Sequence, residues 1–160
     1  MFHQWLVALE ATELARSLRD SVWSYPLVNA GHIVGVALLV GSIVPLDLRL
    51  LGAWRAQALM PLWHVLTRTA AVGLGLAVVF GGLLFATRAT EYAASPYFLA
   101  KMAVVLAAVI NALALRLAFP RDRLVEKAGV ALRWRVRGAA GFSLIAWLVA
   151  LTLGRLVGYF

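Results

Sequence analysis

The chain has no cysteine among its 160 residues. That absence excludes disulfides, thiolate-bound zinc and cysteine-ligated iron–sulfur clusters. Acidic residues are scarce, with seven Asp and Glu against fifteen Lys and Arg. Only 14% of the residues are charged, where a soluble domain carries about 25%. The three methionines, Met1, Met60 and Met102, stand far apart. Copper handling favours clusters of Met and His, so a copper or small-solute permease ranks behind the readings given below. No linker, low-complexity tract or internal repeat divides the sequence, which reads as a single domain over 1–160.

What the chain has is hydrocarbon. Hydrophobic residues make up 63% of it, against about 45–50% in a soluble domain, and the mean hydropathy is +0.88. A membrane-spanning helix needs about 20 apolar residues. Four runs meet that length, at about 27–46, 62–87, 97–119 and 137–159. The fold class expected is all-α, an integral membrane four-helix bundle. Pro26, Pro61 and Pro96 stand at or just before three of the starts, where a missing N–H costs little.

Residues 1–25 are too polar to span. Val7, Ala11, Leu14, Leu18 and Val22 recur at helical spacing, with Glu10, Glu13, Arg16, Ser17 and Asp20 largely opposite. The pattern predicts an amphipathic interfacial helix, on lipid or packed against the bundle or a partner subunit. It is not a signal peptide, which would have a basic start followed by an apolar core.

The formal charge of +8 does not point to nucleic acid, because the basic residues gather in one loop. Arg116, Arg121, Arg123, Lys127, Arg133, Arg135 and Arg137 fall between the third and fourth runs, and Arg49 and Arg55 between the first and second. On the other side Arg16, Arg19 and Arg88 are offset by Glu10, Glu13, Asp20 and Glu91. The positive-inside rule places the first and third loops in the cytoplasm and both termini outside. Trp54, Trp63 and Trp134 then mark the inner interface, and Trp23, Tyr25, Tyr92, Tyr97 and Tyr159 the outer one.

Three ionisable residues lie inside apolar runs: His32, Lys101 and Arg155. Such groups are costly in lipid and mark a buried site, a water path or a cofactor. His32 is roughly 8 Å below the outer end of its run at 1.5 Å per residue. Lys101 and Arg155 are each four residues from the same side, so the three share a depth and are candidates for one pocket. The plainer readings are that Lys101 and Arg155 snorkel to the headgroups and that His32 bonds a neighbouring helix. His64 begins the second run, roughly 18 Å from the depth of His32. The two histidines therefore cannot share one iron. Gly31 and Gly35 flank His32 at small-xxx-small spacing, and Gly73, Gly75, Gly81 and Gly82 favour close packing of the second run. Asp47 is placed to pair with Arg68 or Arg116, and Asn111 to hydrogen-bond across helices. No acid lies near His32 for hydrolytic chemistry, and no residue is assigned a catalytic role.

Asn29-Ala-Gly-His32, Gly41-Ser-Ile, Asp47-Leu-Arg-Leu-Leu-Gly52, Ser95-Pro-Tyr-Phe-Leu-Ala-Lys101 and Gly154-Arg-Leu-Val-Gly-Tyr159 resemble an uncharacterised family of small four-span bacterial membrane proteins. The resemblance covers nearly the whole chain and implies the bacterial inner membrane. More distantly, a His in the first span and a Lys early in a later one resemble HemJ-type protoporphyrinogen oxidases and CopD-like membrane proteins. That likeness implies haem b, with His32 as candidate iron ligand and Lys101 as second polar group. Arg155, at the same depth, is a third candidate for the cofactor's acidic groups. The further motifs of the HemJ type are missing, so its enzyme activity does not carry over. The function expected is a b-type haem-binding, or porphyrin- or quinone-interacting, redox protein or subunit. The alternative is a non-catalytic accessory subunit of a larger membrane complex. The partners expected are the lipid bilayer and a homo-oligomer or larger membrane complex.

The charge asymmetry makes a direct prediction. A reporter active only in the cytoplasm, fused after Phe160, should give no signal, and a strong signal would invert the orientation.

Overall fold

A computed structural model describes residues 1–118 and 130–159. The described residues form seven helices and no strand: α1 Phe2–Glu10, α2 Glu13–Asp20, α3 Ser24–Leu51, α4 Leu59–Thr87, α5 Ala89–Ala94, α6 Pro96–Ala118 and α7 Val130–Leu156. The helices α3, α4, α6 and the Trp134–Leu156 part of α7 are long and apolar enough to cross a membrane. The molecule is a multi-pass, all-α membrane bundle whose spans begin and end within a few residues of the apolar runs. Arg121, Arg123 and Lys127, which carry much of the loop's expected charge, lie outside the described residues.

Local chemistry sets the helix ends. Pro26 and Pro61 sit in the first turns of α3 and α4, and Pro96 opens α6, where the lost N–H has no intrahelical partner. Gly52 ends α3 at φ 117°, a left-handed conformation that suits glycine. Its N–H and that of Ala53 donate to the Arg49 and Leu48 carbonyls at 3.2 and 2.9 Å, the double closure of a Schellman turn.

The buried positions repeat at alternating steps of three and four residues. In α3 Gly35, Leu39, Ser42 and Leu46 keep to this spacing, with Asp47 buried beside them, and in α7 Val136, Ala140, Ser143, Trp147 and Ala150, with Ala146 beside them. In α4, Trp63, Ala70, Gly73 and Ala77 follow the same rule. This is the seam of helices crossing at a shallow angle. Leu39, Ala70, Ala108, Ala146, Trp147 and Ala150 form the shared core. Trp63, expected at the interface, is buried because it stands seven residues before Ala70 on that seam; Trp54 and Trp134 are exposed.

The helices do not touch equally. α3 packs most extensively on α4, and α7 packs on both α3 and α6, whereas no Cα of α4 comes within 8 Å of one in α6 among the described residues. Side chains bridge that wider side. Leu74 of α4 and Val104 of α6 meet the common core, and Phe85 stacks on Phe98 at 5.5 Å between ring centres. Tyr92 of α5 completes an aromatic trio with them.

The closest backbone approach is between α3 and α4. A Cβ at Gly35 would lie 2.5 Å from the Ala77 backbone nitrogen, and one at Gly73 would lie 2.5 Å from that of Leu39. Gly31 receives the Phe80 ring, which a Cβ would meet at 2.8 Å. Gly81 also lies in the contact, but Gly41, Gly75 and Gly82 face open space. Only two of the four α4 glycines expected to pack closely therefore do so, because Gly75 and Gly82 lie off the seam.

The N-terminal segment is two helices rather than one. Thr12 turns the chain and caps α2, accepting from the Ala15 N–H at 3.3 Å; such caps favour a new helix start. The break changes which residues face inward. Leu6, Ala15 and Leu18 are buried, while Val7, Leu14 and Val22 of the expected apolar stripe are exposed and free to meet lipid. Polar contacts fix the pair to the bundle. Arg19 donates to the carbonyls of Thr87 and Glu10, each at 2.9 Å, so one cation serves the C-terminal ends of α4 and α1. The Glu10 carboxylate accepts from the N–H and hydroxyl of Thr90, both at 2.7 Å, in the first turn of α5. These contacts join the N-terminal helices to the rim formed by the end of α4, α5 and the start of α6.

Two outcomes follow. Gly35→Leu should destabilise the bundle by about 1–3 kcal/mol or prevent assembly, as overpacking does, while Leu38→Ala at an exposed lipid-facing position should matter far less. Melting of the two variants in detergent checks this, and equal melting would place the contact face elsewhere. The bonds from Thr90 hold the Glu10 carboxyl below its usual range. Its contribution is therefore present above the unfolded value of about 4.3 and is lost as pH falls through the lower folded value. Pepsin cleavage between α1 and α3 should rise below about pH 4, and Glu10→Gln should flatten that pH dependence.

Candidate functional site

His32 lies on the α3 seam, three residues before Gly35. Its Nδ1 is 2.9 Å from the Ala77 carbonyl oxygen of α4. A carbonyl only accepts, so Nδ1 carries the proton and donates, and in the neutral ring Nε2 keeps its lone pair. The ring lies against Gly81, where a Cβ would come within 3.0 Å of Cε1 and Nδ1. A backbone carbonyl and a glycine, one turn apart on α4, thus hold the imidazole in place. Half-buried, His32 faces the neighbouring helix rather than lipid.

Lys101 occupies the corresponding seam of α6, with Val104, Ala108 and Asn111 following at steps of three, four and three residues. Its Cε and Nζ pass 3.5 Å from the position a Cβ would take at Gly154 of α7. The missing side chain leaves room for the lysine stem. Lys101 is half-buried, and no Cα of α6 comes within 8 Å of one in α3, the helix that carries His32, among the described residues. Among the described residues Lys101 has no carboxylate partner; the sole ion pair there is Arg88–Glu91 at 3.3 Å. Asn111, lower on the same seam, donates from Nδ2 to the Ala139 carbonyl of α7 at 3.0 Å, the interhelical bond expected of it.

Arg155 does not join this pair. It follows Gly154 by one residue, so it is turned about 100° away on the helix surface. Its guanidinium is exposed, donates to the Tyr159 hydroxyl at 2.5 Å and stacks 4.5 Å from that ring's centre. Tyr159 in turn lines a cavity of about 290 Å³ with Arg88, Glu91, Tyr92, Ser95, Val157 and Gly158. His32 and Lys101 are thus both half-buried, on α3 and α6, while Arg155 is exposed near the end of α7. His64 is half-buried at the opposite end of α4.

Two features were not foreseen. The partners of His32, the Ala77 carbonyl and Gly81, are supplied by α4; the recurrence of Gly81 four residues after Ala77 is their only trace in the sequence. Asp47 pairs with neither Arg68 nor Arg116, both of which are exposed. It is buried against Ser143 of α7. The nearby arginines are committed elsewhere, Arg49 to the Gln57 carbonyl at 2.8 Å and Arg137 to that of Leu51 at 2.9 Å.

The donor set can be tested against a cofactor. No group of three or more His, Asp or Glu gathers among the described residues, which leaves no multidentate protein site for a bare ion there. Haem needs less from the protein, since one imidazole can serve as its axial ligand. An oriented Nε2 lone pair fits the axial-ligand part of that requirement. No family model, curated protein or solved structure matches the chain.

Proposed function

We propose that the chain is a bacterial inner-membrane redox protein or redox subunit in which His32 and Lys101 bind a b-type haem or a related flat porphyrin or quinone. The carrying observation is the hydrogen bond from His32 Nδ1–H to the Ala77 carbonyl. Metal-binding histidines typically donate their second ring N–H to a carbonyl or carboxylate, which fixes the tautomer and makes the ligating nitrogen more basic. His32 would hold the iron through Nε2. Lys101 would offer charge to a propionate from within the bundle, and Arg155 would offer a second cation from the rim. A haem bound there would supply one-electron chemistry. Axial ligand and burial would set its potential. Distant likeness to the HemJ type agrees with this reading and lends it no enzyme activity.

The proposed orientation places the rim with α1, α2, α5 and the C-terminal turn outside. Its Arg16, Arg19 and Arg88 are accompanied by Glu10, Glu13, Asp20 and Glu91, whereas Arg49, Arg55, Arg116, Arg135 and Arg137 cluster at the other rim with little acid. That asymmetry supports a cytoplasmic position for the α3–α4 turn.

One observation favours an accessory subunit instead. The imidazole already joins α3 to α4, and an interhelical bond of that kind stabilises membrane bundles without a cofactor. Optical spectra of the purified chain separate the two readings. A Soret band with b-type α and β bands is expected, and a colourless, stable protein after haem supplementation supports the accessory role. His32→Ala should reduce haem occupancy by at least about tenfold, while His64→Ala should leave the spectrum unchanged. An unaltered spectrum in His32→Ala would remove the ligand assignment.

A further inference from the structure

Asp47 is a second buried polar group, unrelated to the His32 site and about 22 Å from it along α3. It is 5% exposed, and its Oδ2 has no hydrogen-bond partner. Ser143, 6% exposed, is the polar side chain that reaches it from α7. One turn further along α7, Trp147 is 4% exposed and its Nε1 is also without a partner. Trp147 stands four residues after Ser143 on the buried seam of α7. Ile43, one turn before Asp47, packs in the same core cluster as Trp147.

No ion pair neutralises this carboxyl among the described residues. Arg49 on α3 and Arg137 on α7 bond backbone carbonyls around the α3–α4 turn. Among the groups whose side chains are described, Arg135 on α7 and His64 and Arg68 on α4 also stand at this end of the facing helices, and none forms an ion pair with Asp47. An isolated carboxylate is costly in a low-dielectric interior, and the least expensive remedy is a proton. One carboxyl and one hydroxyl supply too few oxygens for a hard metal cation, which takes six or more.

We propose that Asp47, with Ser143 on the facing helix, forms a proton-binding site inside the membrane that exchanges with water at the α3–α4 turn. Asp47 is four residues, about 6 Å, from the end of α3, so the aqueous rim is close. In the exchange, the carboxylate takes a proton from hydronium, giving the neutral acid and one water. The neutral acid can donate a hydrogen bond where the ionised form only accepts, and the Ser143 hydroxyl can serve either state. Intramembrane acids mark ion pathways and proton relays.

The test uses the full-length protein in micelles and dicyclohexylcarbodiimide, an apolar reagent for protonated carboxyls in apolar surroundings. Peptide mapping by mass spectrometry should find the adduct on Asp47 at neutral pH, at least about tenfold above that on Glu13 or Glu91, and decreasing as pH rises toward about 9. Asp47→Asn, close in shape and uncharged, should abolish that adduct and remove a protonated-carboxyl stretch from the infrared spectrum. Failure to label Asp47 anywhere between about pH 5 and 9 in the folded protein, with no carboxyl stretch assignable to it, would overturn the proposal. Loss of labelling on adding sodium at constant pH would also overturn it, in favour of a cation site. None of these outcomes depends on haem, so this proposal and the His32 reading stand or fall separately.

Discussion

The contact on which this bundle depends is the backbone approach of α3 to α4 at Gly35 and Gly73. In lipid, burial of apolar surface gives helices little reason to associate, so close van der Waals packing must do it. Two glycines facing each other's neighbouring backbone allow that packing; a Cβ at either would lie 2.5 Å from a main-chain nitrogen. The same approach brings the Ala77 carbonyl within reach of the His32 ring, which is too short to cross a wider gap. Helix packing and imidazole orientation are therefore one geometric fact. A wider crossing would leave His32 unbonded in hydrocarbon.

The other helices are joined more loosely and by different means. Lys101 and Asn111 lie on the α6 seam that meets α7, and each finds something there: the stem of Lys101 passes Gly154, and Asn111 bonds the Ala139 carbonyl. α4 and α6 meet through Phe85, Phe98 and core side chains rather than backbone. At the rim, the N-terminal helices are held through Arg19 and Glu10, which meet exposed carbonyls and a helix N-terminus. These polar contacts tie the rim together, while the interior combines close packing with the interhelical bonds of His32 and Asn111.

Polar groups inside the bundle thus occupy two stations. Toward the N-terminal rim, α3 carries an imidazole and α6 an ammonium, neither in an ion pair among the described residues. Near the opposite rim, a carboxyl stands without a base. Placed side by side, Lys101 and Asp47 would neutralise each other. They stand instead near opposite ends of the bundle, and neither forms an ion pair among the described residues.

The sequence by itself determined the four spans, their approximate limits and the depth of every polar residue, because hydrocarbon thickness and the 1.5 Å helical rise leave little freedom along the membrane normal. It also marked His32, Gly35, Gly73, Gly81 and Lys101 as exceptional. Rotation about each helix axis was only half legible. The seam repeat turns His32, Lys101 and Asn111 inward, but a single residue separates the inward Gly154 from the outward Arg155. Equal depth suggested that Arg155 would join His32 and Lys101, and the 100° step per residue separates it from them. The tertiary structure alone decided the partners: the Ala77 carbonyl for His32, Ser143 rather than an arginine for Asp47, and Thr90 for Glu10. Two of these contacts involve main-chain atoms, which every residue possesses and no sequence pattern distinguishes. The third depends on which face α7 turns toward α3, a choice made by packing of the whole bundle.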